Sequence, residues 1–327
     1  MKFGAALLLI AFATAPATTF AAPARKAAKG PPKAPAAEPT VPASAVIQSA
    51  IKLYQSGDAT GAADSLRPLA SKGSLEAQQA LGMVLESGLD RPEEAAAWYQ
   101  KAALGGNAEA INSLGAMSYD GRGLPRDLER ARNYYARAAL KGHPLAQYNL
   151  ALMFGQGLGG PRDDKALVAW LTRAAEAGLD RAQAQLGRLY LEGIGLPANS
   201  SAAYQWLRRA ADQGHAGAQY YTGFLLQKGE GAPRDLTEGS RWLQKAAAQG
   251  HPLASYQLGI TYEMGLGVAS DAGVSLGAYR RAALGGHAPS MERLVRVYEA
   301  GELGEKPDAE LARSWRERLA KAEGVSR

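Results

Sequence analysis

An eleven-residue segment recurs along this chain at a fixed step of 36 residues. It reads NYYARAALKGH from Asn133, and related segments begin at Ala169 and Gln205. A period of this size is typical of solenoid proteins, in which each unit packs only against its neighbours. We therefore expect an all-α chain that folds as an α/α solenoid. The alanine pairs of six copies mark the step: Ala102/Ala103, Ala138/Ala139, Ala174/Ala175, Ala210/Ala211, Ala246/Ala247 and Ala282/Ala283.

Each unit is predicted to be two antiparallel helices. In residues 108–143, Ala110, Leu114 and Met117 recur at helical spacing and indicate the buried stripe of the first helix. Gly115 lies inside this helix, where glycine costs about 1 kcal/mol relative to alanine. A glycine repeated at such a position indicates close approach of the partner helix, and Ala151 fills the same slot in the next unit. The counterparts are Gly82, Gly187, Gly223 and Gly259.

The first helix is predicted to end at the pair Gly121 and Gly123. A Gly-x-Gly pair resembles a phosphate-binding loop, but no strand precedes it and no P-loop lysine follows. We therefore predict a left-handed glycine at the end of the helix, followed by a turn. The same pair recurs at Gly157/Gly159, Gly193/Gly195, Gly229/Gly231 and Gly265/Gly267.

The second helix is predicted to open at Asp127, a residue type that accepts hydrogen bonds from the first free N–H groups of a helix. Two pairs have the spacing of a capping box, Asp235 with Glu238 and Asp90 with Glu93. We therefore interpret these acidic residues as helix caps and not as metal ligands. The same slot holds Asp163, Asn199, Asp235 and Asp271.

Two neighbouring columns of large residues follow in the second helix, and we expect both to pack in the core. The first column is Trp98, Tyr134, Trp170, Trp206 and Trp242, and the second is Tyr99, Tyr135, Leu171, Leu207, Leu243 and Tyr279.

All the histidines share one column just before a first helix: His143, His215, His251 and His287. Leu179 fills this position in another unit, which argues against a catalytic role. Successive units are about 10 Å apart, so two of these histidines are too distant to share a metal ion. We expect no metal and no cofactor.

The N-terminus is predicted to be a signal peptide over residues 1–21, because Lys2 precedes a short apolar run and small residues end it. Residues 22–43, rich in Pro, Ala and Lys, read as a linker. The chain has no cysteine, which excludes disulfides, thiolate catalysis and a lipid anchor on cysteine. The expected location is periplasmic or secreted, with no integral membrane span in the mature chain.

The positive charge is concentrated at the N-terminus. Of the total of +6, the linker holds +3 and the signal +1, which leaves +2 for residues 44–327. Nucleic-acid binding requires a concentrated basic face, so this balance predicts no nucleic-acid partner.

The pattern A-x-x-x-L-G-x-x-Y-x-x-G-x-G, then Asp, then W-[YL]-x-[KR]-A-A-x-x-G-[HN], resembles the Sel1-like repeat family, which is related to tetratricopeptide repeats. The segment from Leu186 to Gly195 shows the first half most fully. The resemblance implies a right-handed solenoid of helix pairs over residues 74–322. It implies seven units, 74–106, 107–142, 143–178, 179–214, 215–250, 251–286 and 287–322, of which the first is three residues short between its helices.

The two ends of the chain depart from this pattern. Residues 44–73 read as a divergent helix pair, with Leu53, Tyr54 and Leu66 as its core. In the last unit Val295 replaces the small residue, the segment 302–305 replaces Gly-x-Gly, and the final helix is expected to cap the solenoid. Its predicted apolar stripe is Leu311, Trp315 and Leu319.

The resemblance implies a non-enzymatic scaffold or adaptor for protein–protein interaction, and it supplies no catalytic residues. Several secreted bacterial members resemble regulators or assembly factors for exopolysaccharide production and other envelope processes. We therefore expect one or more envelope proteins as partners. The candidate surface is the concave side lined by the first helices, where tyrosines adjoin amides, although a packing role for the tyrosines is also open. The candidate contact residues are Tyr148, Asn149, Gln185, Tyr220, Tyr221, Tyr256 and Gln257.

The sequence also leaves two alternative functions open. The same stripe of tyrosines and amides suits polysaccharides, which would bind without a protein partner. A third hypothesis is an enzyme acting on the cell wall or on β-lactams, because Ser49 and Lys52 have the S-x-x-K spacing of penicillin-recognising enzymes. The companion S-D-N and K-T-G elements are missing, so this hypothesis is the weakest.

Overall fold

The computed structural model describes residues 42–324, so the predicted signal peptide and almost all of the predicted linker lie outside the described residues. The described chain forms sixteen α-helices and one five-residue π-helix, with no strand among these residues. The α-helices are α1 (Ala43–Gln55), α2 (Ala59–Ser71), α3 (Leu75–Met83), α4 (Pro92–Leu104), α5 (Ala108–Asp120), α6 (Leu128–Leu140), α7 (Pro144–Gln156), α8 (Asp164–Glu176), α9 (Asp180–Glu192), α10 (Ser200–Asp212), α11 (Ala216–Lys228), α12 (Leu236–Ala248), α13 (Pro252–Met264), α14 (Ala272–Leu284), α15 (Ala288–Ala300) and α16 (Ala309–Ala322).

Consecutive helices pack against one another in chain order, as an α/α solenoid requires. The odd-numbered helices from α3 to α15 are the first helices of seven units, and the even-numbered helices from α4 to α16 are the second helices. The predicted all-α solenoid with a 36-residue period is therefore confirmed. The contacts join elements that are close in sequence, because each repeat of a solenoid packs only against its neighbours.

The glycines inside the first helices lie against large side chains of the second helices, as predicted. An ideal Cβ on Gly115 would lie 2.7 Å from the ring of Tyr135, and one on Gly187 would lie 2.6 Å from Leu207. Both distances are shorter than any normal carbon contact, so a side chain at these positions would displace the partner. Ala151 takes the slot in the third repeat and is fully buried.

The first glycine of each Gly-x-Gly pair ends its helix in the left-handed conformation, as predicted; Gly121 has a φ of 76°. The second glycine has a role that the sequence did not reveal. A Cβ on Gly123 would lie 2.4 Å from the backbone oxygen of Pro92, at the start of the second helix in the preceding repeat. This glycine therefore lets two neighbouring repeats touch through their backbones.

The seventh repeat corrects one prediction. Gly301 keeps the first glycine of the pair and adopts a φ of 74°, so only the second glycine is replaced. Leu303 stands in its place with a φ of 53°, a conformation that a leucine side chain rarely adopts.

The predicted caps of the second helices are confirmed at five positions. Asp127 accepts a hydrogen bond from the N–H of Arg130 at 2.9 Å. The equivalent bonds are made by Asp163, Asn199, Asp235 and Asp271.

Both predicted capping boxes need correction. Asp90 is not a cap, because α4 begins after Arg91 and Asp90 instead accepts a hydrogen bond from Arg122 at 2.7 Å. Asp235 accepts from the N–H of Glu238, but its own N–H donates to a backbone carbonyl, so the return bond is not made.

The two large-residue columns differ in burial. The second column is the core: Tyr99, Leu171 and Tyr279 are at most 2% exposed. The first column is half-buried, apart from the buried Trp242, and its other four members pack against the core, so its predicted core role is confirmed in part. These rings form part of the outer surface of the second helices.

The ends of the solenoid differ from its middle. In the first repeat a π-helix, Val84–Gly88, continues α3 and shortens the connection to α4. Before it, Leu66 is fully buried, whereas Leu53 and Tyr54 are half-buried. At the other end Leu311 is 41% exposed and does not belong to the apolar stripe predicted for α16. Among the described helices, none has the length and apolar character needed to cross a membrane.

Candidate functional site

The seven predicted contact residues lie on four consecutive first helices, α7, α9, α11 and α13. They occupy the fifth and sixth positions after the N-cap of each helix, and each is half-buried. We call this surface the first-helix face. Half-burial leaves each side chain able to touch a partner while it packs against its own repeat.

The tyrosines of the first-helix face pack against the next repeat. The Tyr220 ring stacks on His251 with 5.2 Å between ring centroids, and it meets Tyr221 edge-on at 5.1 Å. Tyr256 approaches His287 at 4.6 Å. Partial burial raises the pKa of the Tyr148 and Tyr220 hydroxyls. The rings are therefore held in place before any partner arrives.

The hydroxyl groups of these tyrosines are not used inside the fold. In the part of the chain that the structure describes, Tyr148, Tyr220 and Tyr256 make no side-chain hydrogen bond. Two core tyrosines differ, since Tyr99 donates to Glu86 at 3.0 Å and Tyr279 donates to Glu263 at 2.7 Å, whereas the core residue Tyr135 makes no side-chain hydrogen bond within the described residues. The first-helix face thus presents fixed rings whose polar ends are available.

The amides of the face are partly engaged with the neighbouring repeat. Asn149 donates to Asn112 at 3.4 Å, and Gln257 donates to Gln227 at 3.0 Å. Each bond joins the first helices of successive repeats, so it fixes the orientation of the amide. The remaining donor and acceptor positions of these amides face the surface.

The histidine column has a structural role that the sequence did not predict. His143 caps α7, because its Nδ1 accepts a hydrogen bond from the N–H of Ala146 at 3.1 Å. Its Nε2 lies 2.6 Å from the Glu109 carboxylate on the first helix of the preceding repeat. His215 and His251 form the same cap. Burial lowers the pKa of both. The presence of Asn107, a common capping residue, in the same column was the available signal.

A second polar column was also missed. Gln147, four residues after the cap of α7, is buried and donates to the Ala139 carbonyl at the end of the preceding second helix. The bond gives a second donor to a carbonyl at the helix end that already accepts from the N–H of Gly142 at 3.0 Å. The equivalent donors are Gln78, Gln183 and Gln219.

The described residues show no catalytic arrangement. Ser49 and Lys52 are both exposed on α1, and no hydrogen bond joins their side chains. Within residues 42–324 no group of histidines and carboxylates is placed to hold a metal ion.

Comparison with known proteins connects this architecture to one family. A family model described as Sel1 repeat matches seven consecutive segments: 75–107, 108–143, 144–179, 180–215, 216–251, 252–287 and 288–323. Among curated proteins no relative matches the chain.

Two solved structures are similar. The protective antigen c5321 of uropathogenic Escherichia coli, described as displaying an SLR fold, is 28% identical with a TM-score of 0.76 over 86% of this chain. The match spans 62% of the antigen, somewhat less than two thirds of its length. A Sel1 repeat protein from Oxalobacter formigenes is 29% identical, with a TM-score of 0.68 over 74% of this chain and 96% of its own.

Proposed function

The chain belongs to the Sel1 repeat family, whose members are generally scaffolds for protein–protein interaction and typically not catalysts, and on that premise we propose a scaffold of the bacterial cell envelope. The proposal includes a signal peptide over residues 1–21, a linker over 22–43, a helix pair over 44–73 and repeats over 74–322. It is supported by the signal-like N-terminus and by similarity to a protein described as a protective antigen. Its partners would be envelope proteins, including machinery that makes or exports exopolysaccharide.

The proposed contact surface is the first-helix face. The observation that carries it is that Tyr148, Tyr220 and Tyr256 are half-buried rings whose hydroxyls make no hydrogen bond within the described residues, whereas the core residues Tyr99 and Tyr279 bind carboxylates. Rigid rings with free polar ends are the residues that contribute most to protein interfaces. The adjoining amides, held by Asn112 and Gln227, add oriented polar groups.

Affinity capture from envelope extract tests this proposal. The full chain is the bait, beside a variant with Tyr148, Tyr220 and Tyr256 changed to Ala. We expect one or more proteins to bind the native chain and to be lost from the variant. A second variant with the same three residues changed to Phe separates the hydroxyls from the rings, and we expect it to weaken capture in part. Thermal unfolding confirms that each variant is folded. Equal capture by all three proteins would contradict a role for this face.

The alternative function is polysaccharide binding by the same face. The hydroxyls and amides of Tyr220, Tyr256 and Gln257 have the donor and acceptor groups that sugars require. Soluble envelope glycan binding to the purified chain, and loss of that binding in the alanine variant, would favour this function. In that case no protein should be needed for the interaction.

A further inference from the structure

The second helices carry an excess of positive charge that the net charge of the repeats conceals. The seven second helices contain sixteen lysines and arginines against nine aspartates and glutamates, a net +7. The seven first helices with the π-helix contain five against nine, a net −4. The nearly neutral repeat region is therefore divided into a basic side and an acidic side.

The basic side contains a row of cations at one position of the repeat. One cation precedes the alanine pair in each of the first six repeats, and each of the six is exposed. In the seventh repeat the position is Glu317. We call these six residues the cation row. They are Lys101, Arg137, Arg173, Arg209, Lys245 and Arg281.

Aromatic rings hold five of these cations in position. The ammonium of Lys101 lies 3.8 Å from the centroid of the Trp98 ring, and the guanidinium of Arg173 lies 4.6 Å from that of Trp170. A cation over an aromatic face is attracted by the ring and loses part of its freedom. The remaining pairs are Arg137 with Tyr134, Arg209 with Trp206, and Lys245 with Trp242.

No carboxylate neutralises the row within the described residues. None of its six members takes part in an ion pair there, although fifteen ion pairs form elsewhere in residues 42–324. Beside the row, Leu104 is 87% exposed and Leu140 is 74% exposed, each three residues after a cation. Arginine and aromatic residues are enriched at protein interfaces, and the exposed leucines add apolar surface beside them.

We propose that the cation row is a second docking surface, separate from the first-helix face, and that it binds an extended acidic segment of a partner protein. Successive repeats are about 10 Å apart, and a chain in the extended polyproline II conformation advances about 3.1 Å per residue with about three residues per turn, so every third side chain lies on one side. Acidic residues at every third position would therefore meet successive cations, and apolar residues at one end would meet Leu104 and Leu140. In five repeats a cation of the row lies over one face of an aromatic ring, which leaves less ring surface for stacking against a sugar. A chain with two such faces can bridge two partners.

Fluorescence anisotropy with labelled (Glu-Ser-Gly)6 and (Gln-Ser-Gly)6 peptides tests the proposal on the full chain. The row variant changes Lys101, Arg137, Arg173 and Arg209 to Gln. The control variant changes four first-helix cations to Gln, so both variants lose the same charge and both keep the basic N-terminal segment. The four control residues are Arg181, Arg188, Lys228 and Arg296.

We expect the native chain to bind the glutamate peptide and not the glutamine peptide. The row variant should weaken binding at least tenfold, and the control variant less than threefold. Equal losses in the two variants would show an effect of net charge alone and would overturn the proposal, as would equal binding of the two peptides or no binding of either. Stronger competition by polygalacturonate of equal charge would overturn the choice of a protein segment in favour of an acidic glycan. The first-helix alanine variant should bind the peptide normally, so the outcome is independent of the proposed function.

Discussion

Within a repeat, the two helices meet through a small residue set against a large one, whereas neighbouring repeats add backbone and polar contacts to the apolar core that they share. Gly115 against Tyr135 is an example of the first contact. The second is built from Gly123 on the Pro92 backbone and from the His143 cap near Glu109. Both contacts recur at the same period, so the chain repeats two different kinds of joint.

The two joints should therefore respond differently to changes in side-chain volume, pH and salt. The joint within a repeat is mainly apolar and close-packed, with single added bonds such as Tyr279 to Glu263, so its free energy depends largely on volume. The joint between repeats contains histidines, amides and ion pairs, whose contributions depend on pH and geometry. The angle between successive repeats, and with it the shape of both candidate docking surfaces, therefore depends on the polar joint.

The largest expected effect comes from the backbone contact between repeats. Gly231 has a φ of 77°, and a Cβ there would lie 2.1 Å from the backbone oxygen of Ser200. Gly231→Ala combines left-handed strain with this clash, and we expect it to lower the free energy of unfolding by about 3 kcal/mol. Urea unfolding followed by circular dichroism measures the loss.

Gly250→Ala is the matched control. Gly250 has a similar φ of 81°, but no atom lies within 4 Å of its Cβ position. The substitution should therefore cost about 1 kcal/mol, the strain alone. If the two variants lost equal stability, the contact on Ser200 would contribute nothing, and the joint between repeats would not depend on the second glycine.

The next effect concerns the joint within a repeat. Gly115→Ala should destabilise by about 1–2 kcal/mol, because the new methyl group meets the Tyr135 ring. Tyr135→Leu should cost about 2 kcal/mol through the cavity it leaves. The double variant recreates the Ala151 and Leu171 pair of the third repeat. We expect the double variant to lose about 1–2 kcal/mol less free energy of unfolding than the two single variants lose together. Strict additivity in this double-mutant cycle would mean that the two positions do not share one packing slot.

The sequence was sufficient to predict the joint within a repeat and only part of the joint between repeats. The Gly115 slot could be predicted because a helical glycine is costly and its repetition requires a reason. The contact of Gly123 could not, because a glycine in a turn is already explained by its backbone conformation. The half-burial of Trp170 could not be predicted either. Helical spacing gives the angle between two residues around the helix axis, but it does not say which side of the helix faces solvent.

The candidate site shows the same limit. Its residues were found from a periodic column, and the structure places them together on adjacent first helices. The sequence does not tell which tyrosine hydroxyls are bonded inside the fold. Only the structure separates Tyr148 and Tyr220, which make no such bond, from Tyr99 and Tyr279, which do. The separation of charge between first and second helices does not appear in the net charge of the repeats, because the two contributions partly cancel.

The smallest expected effect is a dependence on pH at the histidine caps. Burial lowers the pKa of His215 and His251 below 6.5; for His215, Asp180 offsets part of this lowering and Arg181 adds to it. The unfolded chain therefore takes up protons first as the pH falls, so the stability from these caps is complete above pH 6.5 and is lost below it. Protonation also places a hydrogen on Nδ1, which can then no longer accept the bond from the helix. We expect the free energy of unfolding to fall by about 1 kcal/mol between pH 7 and pH 5.5.

The double variant His215→Asn and His251→Asn isolates this contribution. Asn107 fills the same column and caps α5 through a bond of 2.9 Å to the Ala110 N–H, so asparagine fits the site. An asparagine cap does not titrate, and the variant should lose less stability than the native chain over the same pH range. Urea unfolding at pH 7 and pH 5.5 compares the two proteins. Because Tyr220 stacks on His251, loosening of that cap at low pH would move a ring of the proposed contact surface. An equal loss in native and variant chains would place the acid sensitivity in the carboxylates and leave the joint between repeats insensitive to histidine.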